Sequence, residues 1–184
     1  AFTGRAQVLT PELVTPLATT LNETSGLVMI DGGWWTHLDS GNPNVLYQID
    51  PASGEISRQV TVENSSNTDW EDMTADEQWL YIGDVGNNSG ARTDLRIFRI
   101  PIYDLLEPTT TSVTADTIRF AYADQTDFTP AGQNTIWDCE AMIAKDDSLF
   151  LFTKRWTDQR TVLYALPAAP GDHALRHPVG RHRP

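Results

Sequence analysis

The chain has 184 residues, 40% of them hydrophobic and six of them Trp, which suits one sizeable core and not a disordered chain. A formal net charge of -12 argues against nucleic acid or an anionic membrane surface as partner, since both demand a basic footprint, and makes cations the natural ligands. Apolar runs such as Leu149 to Phe152 fall far short of the roughly 20 residues of a membrane span, and Cys139, the single cysteine, excludes an intrachain disulfide and a thiolate metal cluster.

The opening AFTGRAQ has no basic region followed by an apolar one, so we expect a secretion signal to be absent or already removed. From there the apolar residues recur mostly with period two. WWTHLD, VLYQID, ISRQVTV, WLYIGD, LRIFRI, TIRFAYA, SLFLFTK and TVLYALP are short runs of β-branched and aromatic residues, bounded by the turn formers DPASGE, ADEQ, NNSGAR and AKDDS. This predicts an all-β chain of antiparallel hairpins. In DPASGE, Pro51 presets a turn and Gly54 supplies a positive φ. IYDLLEP, residues 102–108, is the one candidate for a helical turn. After residue 170 the composition changes to a basic, His-rich stretch without strand pattern, and 171–184 is expected to be a tail.

Internal repetition points to the architecture. Trp34, four residues, then Asp39-Ser40-Gly41-Asn42 returns as Trp79, four residues, then Asp84-Val85-Gly86-Asn87. The pentad Asp69-Trp70-Glu71-Asp72-Met73 returns as Asp138-Cys139-Glu140-Ala141-Met142, with Glu23-Thr24-Ser25-Gly26-Leu27 at the matching place upstream. Repeat units beginning near residues 21, 69 and 138 have the size of β-propeller blades, so 1–170 is expected to be a partial β-propeller of about three blades. A β-sandwich is the alternative and predicts no repeat. Propellers close with four to eight blades, so we expect either a piece of a longer protein or half a ring completed by a second copy.

In a propeller the first strand of each blade lines the channel, which would gather Glu23, Glu71 and Glu140 around one axis. Converging carboxylates repel, and a hard cation that takes six to eight oxygens, such as Ca²⁺, would relieve them. Asp39, Asn42, Asp84 and Asn87 end the neighbouring strand and are the further candidate ligands; a repeated Asx-type turn is the structural alternative. His37 is the candidate proton carrier for any metal-assisted catalysis. Trp34 and Trp79 read as packing between blades, and Cys139 between two acids is a poor thiolate.

The phrases ETSGL, WWTHLDSGNPNVLYQIDPASGEISRQVTV, NTDWEDMTADEQWLYIGDVGNNSGARTDLRIFRIP and WDCEAM resemble a family of bacterial, mostly secreted or lipid-anchored β-propeller proteins of unassigned activity, often joined to type IX secretion sorting domains. That family is more distantly similar to the six-bladed superfamily of gluconolactonase, paraoxonase and strictosidine synthase. The resemblance implies a six-bladed fold, a secreted, periplasmic or cell-surface location, and a channel Ca²⁺ that polarises an ester, lactone or phosphoester, with Glu23 most like the first ligand. A non-catalytic surface module binding a small molecule or glycan is the competing expectation.

Overall fold

The computed structural model describes residues 10–175; the opening AFTGRAQ and the end of the basic tail, 176–184, lie outside them. The described chain is thirteen strands and one short helix, in three sheets. Sheet 1 is an antiparallel meander of β1 (Thr24–Ile30), β2 (Gly33–Leu38), β3 (Val45–Ile49) and β4 (Ile56–Val62). Sheet 2 repeats it with β5 (Trp70–Ala75), β6 (Trp79–Asp84), β7 (Arg96–Pro101) and β9 (Asp116–Tyr122), and sheet 3 has β10 (Asp138–Lys145), β11 (Ser148–Lys154) and β12 (Thr161–Pro167).

The connections repeat too. After β7 the chain makes the helical turn α1 (Ile102–Leu106), lays β8 (Ser112–Val113) parallel to β4 at the edge of sheet 1, and returns to sheet 2 as β9. After β12 it lays β13 (Gly171–Leu175) parallel to β9 at the edge of sheet 2. Gly171–Leu175 is therefore strand, where the sequence suggested the start of a tail. Its alternation is carried by few apolar residues, and the backbone ladder to β9 supplies what side chains do not.

Alternation along the strands gives each sheet two apolar faces. Ile30, Trp35, Leu46 and Val60 of sheet 1 pack on Leu80, Ile82, Phe98 and Ile100 of sheet 2. The opposite face of sheet 2, with Tyr81, Ile97 and Ile118, packs on Met142, Leu149, Leu151 and Tyr164 of sheet 3. The sheets thus stack in order, and β5 lies between β1 and β10.

Pairing fixes how the units correspond. The opening hairpins turn between Ile30 and Gly33, between Asp76 and Trp79, and between Lys145 and Ser148. Counting back from the turns, Met29 pairs with Trp34, Ala75 with Leu80, and Ala144 with Leu149. Trp34 therefore corresponds to Leu80, and the aligned Trp of the sequence motif is one residue out of register. A slip of one residue turns every side chain to the other face of a sheet. Each opening strand also carries a bulge, between Thr24 and Leu27, Trp70 and Asp72, and Cys139 and Ala141. Glu71 and Glu140 occupy the same bulge position, and Ser25 stands there in the first unit. Glu23, which precedes β1, corresponds to Asp69 and Asp138.

Candidate functional site

The three opening strands start at one end of the stack, and there the bulges re-aim their side chains, a common use of an extra residue in a strand. Carboxylate oxygens of Asp39, Asp69 and Glu71 lie within 4.8 Å of one another, and so do those of Glu71, Asp138 and Glu140. Glu71 is common to both triads. Asp39 directly follows β2, Asp69 and Glu71 flank the start of β5, and Asp138 and Glu140 belong to β10, so all three sheets contribute.

Most of these groups have protein partners. The backbone N–H of Asn87 donates to Asp138 Oδ1 at 2.7 Å, and Trp156 Nε1–H donates to Asp138 Oδ2 at 2.7 Å. Lys154 Nζ is 2.9 Å from Glu140 Oε1. The N–H of Ser40 donates to Asp39 Oδ1. Glu71 differs: the Ser25 hydroxyl donates to its carbonyl oxygen, but among the described residues no side chain or backbone group donates to its carboxylate. Burial first, then the neighbouring Glu140, Asp69, Asp39 and Asp138, push the Glu71 carboxyl up to about 8. Asp138 is pushed up to about 6, by burial acting against the hydrogen bonds from Asn87 and Trp156. Burial also raises Asp69, against the pull of Arg92. An ion placed among these groups would favour their charged forms and remove the penalty.

The second strand ends contribute unequally, and the register explains why. Asp39 faces the cluster. Asp84, which corresponds to Leu38 and not to Asp39, turns inward: fully buried, it pairs with Arg92 at 3.0 Å and Arg96 at 2.9 Å and accepts the Asp69 N–H at 2.9 Å. It anchors the turn that carries Asp69 and does not face the triads. Asn87 is also structural, its Oδ1 accepting the Arg92 N–H while its own N–H reaches across to sheet 3. Asn42 donates to Glu23 Oε2 at 2.9 Å, so the exposed Glu23 and Asn42 form a pair beside Asp39, outside the triads.

The motif's two glycines serve different needs. Gly41 takes a φ of 76° with open space around it, a left-handed conformation that a side chain would strain. At Gly86 the constraint is room, because a Cβ there would run into the carboxylates of Asp69 and Glu71.

His37 is fully buried between sheets 1 and 2, its ring edge against Trp70 at 5.5 Å between centroids and its Nδ1 3.0 Å from the Leu38 carbonyl. Burial lowers its pKa. The imidazole is enclosed between the sheets, and its Nε2 is buried without a hydrogen-bond partner among the described residues. Cys139 is buried and its thiol is raised, by burial first.

Asp69 and Asp138 were not among the sequence candidates. Both open a pentad two residues before its Glu, and that recurrence of Asp-x-Glu was the available signal. The chain matches no protein-family model and no curated protein. What the site does is therefore argued from its geometry.

Proposed function

We propose that the chain is part of a β-propeller whose channel binds a divalent cation, Ca²⁺ by its donor chemistry, at Glu71 together with Asp39, Asp69, Asp138 and Glu140. The observation that carries this reading is the Glu71 carboxylate, shared by two acidic triads and without a protein donor among the described residues. All-oxygen ligation by carboxylates suits a hard cation, and the mixture of flexible Glu and short Asp side chains suits the larger, less rigid coordination of Ca²⁺ over Mg²⁺. The propeller reading is supported by the meanders, stacked through equivalent faces with their opening strands side by side. A secreted or cell-surface setting, where calcium is plentiful, accords with such a site.

Hydrolysis of an ester or lactone at the ion would further require a proton carrier facing the ion. The sequence candidate, His37, is sealed in the core, so the proposal is confined to cation binding.

Thermal melts test the proposal. An ion that binds only the folded state stabilises it, by about 2.7 kcal/mol at a hundredfold excess over Kd, which for a chain of this size raises Tm by roughly 5–10 °C. We expect that rise when Ca²⁺ replaces chelator at pH 8. Coincident melts in chelator, Ca²⁺ and Mg²⁺ would count against a cation site.

A further inference from the structure

The two acidic triads share Glu71, yet the register shows that they are not copies of each other. Pairing from the hairpin turns sets Ser25, Glu71 and Glu140 at one place of the repeat, and Glu23, Asp69 and Asp138 at a second. At a third, where each second strand has just ended or is ending, stand Asp39, Val85 and Lys154. The contact between sheets 1 and 2 therefore gathers Asp39, Ser25, Asp69 and Glu71. The contact between sheets 2 and 3 gathers the matching Val85, Glu71, Asp138 and Glu140. Where the first has the carboxylate of Asp39, the second has a valine buried in the core between those sheets.

Lys154 makes the second difference. Its ammonium lies 2.9 Å from Glu140 Oε1 and 4.0 Å from the centre of the Trp156 ring. Trp156 in turn donates its indole N–H to Asp138 Oδ2 at 2.7 Å, and the Asn87 N–H takes Asp138 Oδ1. Trp156 thus braces Lys154 against one acid of the triad while it bonds the other. Neither an ammonium nor an N–H has a lone pair to offer a metal, so an ion entering this side would meet a positive charge already in place.

On the other side of Glu71 no such cation is held. Asp39 accepts the Ser40 N–H, and Asp69 is bonded by the Ser40 side chain, a hydroxyl that can turn its proton away and present its oxygen. Arg92, whose charge reaches Asp69, is bound to Asp84 at 3.0 Å and to the Gly86 carbonyl at 2.9 Å. Among the described residues neither Asp39 nor Asp69 is in an ion pair.

We infer that Lys154 is the resident cation of the triad between sheets 2 and 3, and that it fixes the place and number of bound ions: one divalent ion, beside Asp39, Asp69 and Glu71. The inference rests on the cation site proposed above and adds the residue that decides its occupancy. Divalent ions about 3.5–4 Å apart share one site in many enzymes. A second ion on Glu71 is therefore barred by Lys154 and not by closeness alone.

Equilibrium dialysis and calorimetric titration of the purified chain with Ca²⁺ at pH 8 test it. We expect one Ca²⁺ per chain for the wild type. Lys154→Met should take up two, and Glu140→Gln added to it should return the count to one. Lys154→Arg should stay at one. So should Arg155→Met, which makes the same change of charge one residue on, at a guanidinium paired with Asp158. Asp39→Asn should weaken the wild-type ion at least tenfold, with metal-free melts showing that each variant is folded. Two ions on the wild type, one on Lys154→Met, an equal gain from Arg155→Met, or an ion indifferent to Asp39→Asn would overturn the inference and leave the cation site standing. No Ca²⁺ on any of these proteins would sink the cation site and the role of Lys154 together.

Discussion

Replacing Asp84 by Ala is expected to cost on the order of 3–5 kcal/mol of stability, the usual penalty for removing one partner of a buried ion pair. The carboxylate is fully buried, and the two guanidinium groups it holds, Arg92 and Arg96, are themselves largely enclosed. Its loss would leave both cations facing each other and the Asp69 N–H without its acceptor. For a chain of this size the loss corresponds to a fall in Tm of roughly 6–20 °C, measured in chelator so that any cation effect is absent. Asp39→Ala, which removes an acid from a crowded cluster, should leave that metal-free Tm the same or raise it. The paired measurement separates two residues that look equivalent in the sequence motif, and equal losses from both would refute the assigned register.

Glu71→Gln should flatten the site's behaviour with pH. The wild-type carboxyl is held at about 8 against an ordinary value of 4.5, so between those pH values the folded chain keeps a proton that the unfolded chain has released. Stability from this group is complete below the unfolded value and is lost as pH rises toward the folded one. In chelator, wild-type Tm should fall from pH 6 to pH 8.5, while the Gln variant, which carries no charge there, should fall much less and be the more stable protein at pH 8. His37 acts in the opposite sense below its ordinary value of 6.5, because burial keeps it neutral in the fold; both proteins carry it, so it cancels in the comparison. With Ca²⁺ present the ranking should invert, the wild type gaining stability and the variant gaining almost none. Parallel pH profiles in chelator would show that Glu71 is not the strained acid of the cluster.

These contrasts show which parts were legible in the residues. Period-two runs and their turn formers disclose the strands because alternation and β-branched composition are local properties. IYDLLEP is read correctly for the same reason. The recurrence of Glu71 and Glu140 in matched pentads also survives, since a bulge at a fixed place requires an extra residue at a fixed place. Register is another matter. Aligning Trp34 with Trp79 satisfies the letters of the motif, but hairpin pairing is set by where the chain turns, and the two-residue turns put Trp34 opposite the place of Leu80. That single slip made Asp84 look like a counterpart of Asp39, whereas the matched pentads already set Glu23 in the place of Asp69 and Asp138. Nor could the sequence show Arg92 and Arg96 converging on Asp84, a pairing that depends on the loop between β6 and β7 folding back. The strand Gly171–Leu175 escaped notice because its position is set by backbone pairing to β9.

The central claim is that Glu71 joins the two triads into one cation site. Crystals of the chain grown with Ca²⁺, and again with Mn²⁺ for its anomalous signal, test it most directly. We predict an ion about 2.3–2.6 Å from a Glu71 carboxylate oxygen in the Ca²⁺ form, completed by oxygens of Asp39 and Asp69 or of Asp138 and Glu140. A Glu71 carboxylate that holds only water at saturating cation, with the anomalous peaks elsewhere, would contradict it.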